Sequence, residues 1–142
     1  GWGIGLSGKI YTGDKDNFLF EVAWGDGLGR YINDLSGTQS ELGLNAQNQL
    51  GTQFASGGFV GYQHWWDDDT RTNLYLSTAS VQLRAGQPDD AYRQGYNLGI
   101  NVMRDVSKNF RVGLEYIQGW LRLHDGSSAS GGRFQVMLRN NF

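Results

Sequence analysis

The stretch Tyr96-Asn97-Leu98-Gly99-Ile100-Asn101-Val102-Met103 decides the fold, together with Phe110-Arg111-Val112-Gly113-Leu114-Glu115-Tyr116-Ile117, which follows the polar link Asp105-Val106-Ser107-Lys108-Asn109. In each half one set of alternate residues is aliphatic or aromatic. The other set is dominated by amides, charges and glycine. Residues two apart share a face only in an extended chain, whereas a helix would align residues three and four apart. Two such strands joined by a short Asp/Asn-rich link predict an antiparallel hairpin.

The same period of two spreads outward from this hairpin. Trp2, Ile4, Leu6 and Ile10 alternate with Gly3, Gly5, Ser7 and Lys9 over residues 2–12. After the turn-rich residues 13–17, Phe18, Phe20, Val22 and Trp24 alternate with Leu19, Glu21 and Ala23. Near the end, Phe134, Val136, Leu138 and Phe142 oppose Arg133, Gln135, Met137 and Arg139. Two middle segments are less regular. Residues 57–66 put Phe59 and Trp65 opposite Val60, Tyr62 and Trp66, and residues 70–82 drift from Leu74 and Leu76 to small polar residues. A β-bulge, or an outer face packed on protein, would explain the drift. About seven strands are expected in all.

The links alternate in length. Those at 13–17, 67–70 and 105–109 are short, whereas those near 25–55, 83–94 and 123–132 are longer and rich in Gly, Ser, Gln and Asp. Short turns at one end and long loops at the other are the asymmetry of bacterial outer-membrane β-barrels. Aromatic residues band accordingly: Trp2, Trp24, Tyr96 and Trp120 beside long loops, and Phe18, Trp66, Phe110 and Phe142 beside short turns or the terminus. Two girdles flanking an aliphatic belt match the two lipid interfaces. Packing in an ordinary sheet explains the abundance of aromatics but not this placement.

Composition narrows the function. The net charge of −2 lacks the basic excess of a nucleic-acid binder, and the absence of cysteine excludes disulfides and thiolate metal sites. No stretch approaches the roughly 20 apolar residues of a spanning helix. The 22 glycines and 19 aromatics (five Trp, seven Tyr, seven Phe) nevertheless make an unusual polar chain. No signal peptide is visible, and the chain starts in strand-like sequence without methionine, so a processed or truncated N-terminus is expected.

If the aliphatic face meets lipid, the other looks inward, and it carries Lys9, Arg71, Arg111, Arg133 and Arg139 against Glu21 and Glu115. Burying such charges in a dry core would cost several kcal/mol per unpaired ion, a cost that a water-filled lumen removes. Guanidinium groups in a confined wet passage attract anions and can pair with carboxylates. The alternative is an Arg/Glu network, with Arg111 and Glu115 on one strand, that only rigidifies the wall. The expected channel-lining residues are Lys9, Arg71, Arg111, Glu115, Arg133 and Arg139.

The last strand, alternating and ending at Phe142, resembles the terminal signal by which the barrel-assembly machinery recognises porins, with Asn140 a polar departure. At the family level the chain resembles the C-terminal portion of the DcaP-like trimeric porins, the dicarboxylate-channel type. The residues carrying this are Gly25-Asp26-Gly27-Leu28-Gly29-Arg30-Tyr31-Ile32, Gly58-Phe59-Val60-Gly61-Tyr62-Gln63-His64-Trp65-Trp66 and Val112-Gly113-Leu114-Glu115-Tyr116. The resemblance implies a homotrimer of 16-stranded barrels in the bacterial outer membrane, with inward arginines guiding small anionic solutes. Residues 1–142 would then be the C-terminal part of one transmembrane up-and-down β-barrel domain. An odd strand count ending in a closing strand leads us to expect a missing N-terminal part, because bacterial single-chain barrels have even numbers.

Weaker motifs point elsewhere only faintly. Gly25-Asp26-Gly27-Leu28-Gly29 has the wrong spacing for a dinucleotide site. Thr38-Gln39-Ser40-Glu41 could cap a short helix, and residues 25–55 could fold inward as a constriction or form an exposed loop. Asp67-Asp68-Asp69 reads as a turn, because it lacks calcium-loop spacing. His64 reads as a girdle residue. His124-Asp125 beside Ser127 and Ser128 reads as a solvated loop, since nothing specifies an oxyanion site. The sequence thus predicts a porin for passive diffusion of small hydrophilic anions, without catalysis, metal or cofactor and without nucleic-acid partners. The rivals are a barrel enzyme or adhesin, and a soluble β-sandwich binding module.

Overall fold

The computed structural model describes residues 1–38 and 40–141. Phe142, expected in the short-turn girdle, and Gln39 of the capping motif lie outside the described residues. Nine strands form: β1 Trp2–Tyr11, β2 Asn17–Asp26, β3 Leu42–Leu44, β4 Leu50–Thr52, β5 Phe54–Trp65, β6 Thr70–Gln82, β7 Tyr92–Asp105, β8 Phe110–Leu123 and β9 Ser128–Asn140. Seven of them make one antiparallel up-and-down sheet in the order β1-β2-β5-β6-β7-β8-β9, as the alternating pattern requires. The other two form a small hairpin inside the long link after β2.

Register is continuous along most of the sheet, so the faces seen in the sequence are the faces of the fold. Even-numbered residues of all seven strands share the apolar face, and odd-numbered residues share the polar one. A slip of one residue anywhere would exchange the two faces. The strand ends are staggered. The hairpins β1–β2, β5–β6 and β7–β8 close at the pairs Tyr11↔Asn17, Trp65↔Arg71 and Asp105↔Arg111, each one two-residue step further along the shared rows than the last. Such progressive stagger accompanies strands tilted about a barrel axis.

Several boundaries differ from the sequence reading. Strand β7 begins at Tyr92 and β9 at Ser128, so Tyr96 and Trp120 lie inside their strands, not at the ends. The expected loop 123–132 shrinks to residues 124–127, as short as the turns at the other end. Ser128 to Gly132 have weak β-propensity, but pairing with Arg122 to Gln118 extends the ladder through them. No bulge interrupts β6; the one register shift in the sheet falls at Tyr92/Gln94.

The core is not where a soluble sheet would place it. Large apolar residues of the even-numbered face stay exposed, among them Leu98 at 41% and Val136 at 72%. Among the described residues no second sheet covers that face, so the rival reading of a β-sandwich finds no support. The buried cluster, Ile32, Leu35, Ala55, Ala79 and Val81, lies instead beneath the long link, against odd-numbered residues of the polar face. Two single 3-10 turns, Gly29–Tyr31 and Asn33–Leu35, carry Ile32 and Leu35 down onto that face. Leu42–Leu44 is a strand, so the Thr38–Glu41 stretch caps no helix there. The described Thr38 hydroxyl donates back to the Leu35 carbonyl, at 2.7 Å.

Small side chains make room for this docking. The row Gly5-Ala23-Gly57-Ala79-Gly95-Leu121-Ala129 crosses the sheet under the loop and carries one large residue. A Cβ on Gly57 would stand 2.6 Å from Cγ2 of Ile32, too close for both to stay. The β6 drift to Ser77, Ala79 and Val81 therefore fits a face that receives another segment. On the apolar side of the same region, Ser56 and Ser80 hydroxyls pair at 2.9 Å and Thr78 donates to the Gly95 carbonyl at 3.0 Å.

Candidate functional site: the polar face and its docked loop

On the polar face, cross-strand neighbours form rows about 6.7 Å apart, the span of two residues. At the short-turn end, Asp105, Arg111 and Arg139 are neighbours. Arg111 is bidentate to Asp105, with Nη2 at 3.0 Å from Oδ2 and Nε on Oδ1, and Arg71 Nη1 stands 3.8 Å from the same carboxylate. The sequence reading placed Asp105 in a turn and offered Glu115 as partner for Arg111. Instead Asp105 ends β7 directly opposite Arg111, and that pairing fixes the choice. Trp65, irregular in the sequence, faces inward here and carries the Arg71 guanidinium over its ring at 4.9 Å. Arg139 donates through Nε to Asn141 at 3.1 Å.

Two rows further from this end lies Glu115, in the row Asn17-Gln63-Asn73-Asn101-Glu115-Gln135. The next row runs Lys9-Leu19-Gly61-Tyr75-Gly99-Ile117-Arg133, with its cations on the outer strands. Gly99 leaves the Tyr75 ring space to lie across β7, so that its hydroxyl reaches Glu115 Oε1 at 3.2 Å. All six expected lining residues thus occupy the polar face, but they are spread over it and not gathered in one cluster.

The loop meets the following row, Ser7-Glu21-Phe59-Ser77-Asn97-Gly119-Gly131. Asp34 Oδ2 accepts from Ser77 Oγ at 3.3 Å and Asn97 Nδ2 at 3.2 Å. On one side of the Asn33-Asp34 tip is a hollow of about 330 Å³ bordered by Glu21, Tyr31, Phe59 and Tyr75. On the other is one of about 650 Å³ bordered by Asn97, Ile117, Gly131, Gly132 and Arg133. Asp34 and Asp105 revise the charge balance: five cations, Lys9, Arg71, Arg111, Arg133 and Arg139, share the face with four carboxylates, Glu21, Asp34, Asp105 and Glu115. Cations gather at the short-turn end, where Arg71 and Arg111 share Asp105 and Arg139 neighbours Arg111.

At the opposite end the long links clasp one another. Arg84 Nε donates to the Thr52 carbonyl and the Gly86 amide to the Leu44 carbonyl, both at 3.0 Å. The His124 and Asp125 amides donate to the Ala91 and Asp89 carbonyls at 2.9 and 3.0 Å. Asp125 is held below the ordinary carboxylate range by the hydroxyl and amide of Ser127, so its role is to close the turn. At the short-turn end Asp16 accepts from the Trp65 amide at 2.8 Å, which does most to hold its carboxyl below the usual range, with His64 and Tyr62 adding to it. His64 lies on the apolar face between Tyr62 and Trp66, with ring centroids at 6.5 and 4.5 Å. Asp67 accepts from the Asp69 and Thr70 amides at 2.8 and 2.6 Å, an ordinary turn. The seven described girdle aromatics, Trp2, Phe18, Trp24, Trp66, Tyr96, Phe110 and Trp120, are all even-numbered, and none is buried.

No family model and no curated protein matches the chain. Among solved structures it superposes on the crystal structure of the outer membrane channel DcaP of Acinetobacter baumannii, with a TM-score of 0.85 and 19% identity over 99% of this chain. The chain shares the fold of part of that channel. This chain spans 40% of the length of the DcaP chain. With so few identical residues, the likeness is one of fold.

Proposed function

We propose that this chain is part of a porin wall in the bacterial outer membrane, across which small hydrophilic anions, dicarboxylates among them, diffuse passively. The observation that carries this reading is the position of residues 29–35. The long link is docked on the polar face, the face that a water-filled passage needs, while the opposite face is left bare and apolar for lipid. A loop on that face narrows the passage without closing it, since hollows remain on both sides of Asp34. The likeness to an outer membrane channel supports the porin-like role and the outer-membrane location.

The edge strands β1 and β9 have no partner in the described sheet. An open edge is not viable in hydrocarbon, so further strands close the barrel. A homotrimer would cover part of the apolar face, and the last strand would present its alternating pattern to the barrel-assembly machinery. Anion preference rests on Arg71, Arg111 and Arg139 gathering at the short-turn end, where Arg71 and Arg111 share Asp105. Guanidinium groups left without a full complement of carboxylates attract anions where water is confined. The test is the reversal potential of the full-length protein in a planar bilayer under a potassium chloride gradient. Anion selectivity is expected; cation selectivity, or no conductance, overturns the reading.

A further inference from the structure

Six residues on six neighbouring strands form one hydrogen-bonded belt across the polar face. Asn17 Nδ2 donates to Gln63 Oε1 at 3.2 Å, Gln63 Nε2 to Asn73 Oδ1 at 2.8 Å and Asn73 Nδ2 to Asn101 Oδ1 at 2.6 Å. Asn101 Nδ2 then donates to Glu115 Oε1 at 3.0 Å, and Gln135 Nε2 donates to Glu115 Oε2 from the other side. Every amide therefore gives toward Glu115. The direction has a cause: an ionised carboxylate only accepts, so Asn101 must offer nitrogen to it and oxygen to Asn73, and the constraint passes along the belt. Without Glu115 the Asn101 and Gln135 amides lose the acceptor that anchors them, while Gln63 and Asn17 stay held by Trp65 Nε1 and the Lys15 carbonyl.

A fixed direction decides what the belt offers to a solute. Gln63, Asn73, Asn101 and Gln135 each use one N–H along the belt and keep a second one. Two acceptors inside the belt are used twice: Gln63 Oε1 also receives Trp65 Nε1 at 3.1 Å, and Glu115 Oε1 also receives Tyr75 Oη at 3.2 Å, whereas Asn17 Oδ1 at the β2 end is buried without a partner. Arg71 lies in the row on one side, and Lys9 and Arg133 lie in the row on the other. At about 6.7 Å between rows, an anion resting on the spare N–H groups stays within reach of a long cationic side chain.

We propose that the belt is an anion-binding station, that its ligand is a carboxylate or similar small oxyanion, and that Glu115 is the positioning residue that keeps its N–H groups presented. The proposal rests on the anion-channel reading and accounts for a carboxylate in the middle of such a wall. It also reverses the expectation from charge alone. Removing a negative charge from a passage ordinarily favours anions; here removing Glu115 disorders the donors and disfavours them.

The test uses the full-length protein in planar bilayers, with the succinate-to-chloride permeability ratio taken from reversal potentials. Folding of each variant is checked by its heat-dependent mobility in detergent gels. Glu115→Gln is expected to lower the ratio about fivefold, the equivalent of one net hydrogen bond. Asn101→Leu, which changes no charge but cuts the belt, is expected to lower it as well. An anion-selective wild type whose folded Glu115→Gln variant matches or exceeds its ratio overturns the station and leaves the channel reading standing. A cation-selective wild type overturns both. If Glu115→Gln does not fold, Asn101→Leu decides: a lower ratio supports the station, and an unchanged one overturns it.

Discussion

Leu35→Asp is expected to raise the single-channel conductance and the current noise while leaving the barrel folded. Leu35 is fully buried, at 0% exposure, against Ala55, Ala79 and Val81, and it is the deepest attachment of the long link to the polar face. Truncating a buried leucine to alanine costs about 2–5 kcal/mol. A carboxylate in the same place adds the cost of an unpaired charge. The remaining ties there, Ile32 against Gly57 and Asp34 on Ser77 and Asn97, are weaker; the two hydrogen bonds add about 1 kcal/mol each. The loop therefore lifts away, whereas the ladder of the seven strands does not depend on it. Single-channel recording measures the effect directly. An unchanged conductance would mean that residues 29–35 do not narrow the passage.

Arg111→Glu is expected to shift the reversal potential strongly toward cation selectivity. At the short-turn end the wild type sets Arg71, Arg111 and Arg139 against Asp105; the variant leaves two cations facing two carboxylates. It also breaks the bidentate pair with Asp105 and places like charges directly opposite on β7 and β8. Cross-strand repulsion of this kind costs a fraction of a kcal/mol, up to about 1 kcal/mol. The partly solvated site should thus remain folded while its field changes. Arg111→Lys separates the two effects. It keeps the charge and loses the fork geometry, so selectivity should hold while stability falls.

The faces of the sheet were legible because alternation is a property of the backbone. Wherever Leu98, Ile100 and Val102 fall on one side, Asn97, Gly99 and Asn101 must fall on the other. Continuous register then carried Lys9, Arg71, Arg111, Glu115, Arg133 and Arg139 to a single face. The partners of those charges were not legible. Whether Arg111 meets Asp105 or Glu115 depends on where β7 ends, and Asp105 sits in a polar stretch that reads as turn. Nor did the glycines announce their use. Gly57 and Gly99 look like generic barrel glycines until Ile32 and Tyr75 are seen in the space they leave. The long link was hardest, because its inward course is set by isolated apolar residues, Ile32 and Leu35, with no period to reveal them. The belt formed by Asn73, Asn101 and their neighbours depends on row alignment across six strands.

The central claim is that odd-numbered residues line a wet passage and even-numbered ones meet lipid. Because the chain has no cysteine of its own, single cysteines can be placed at Asn97 and at Leu98, adjacent residues on opposite faces of β7. The decisive measurement is the current through single channels before and after a bulky, membrane-impermeant thiol reagent is added. A stepwise loss of current is expected for Asn97→Cys and none for Leu98→Cys. Loss of current at Leu98→Cys with none at Asn97→Cys, or the same response at both, would contradict the central claim.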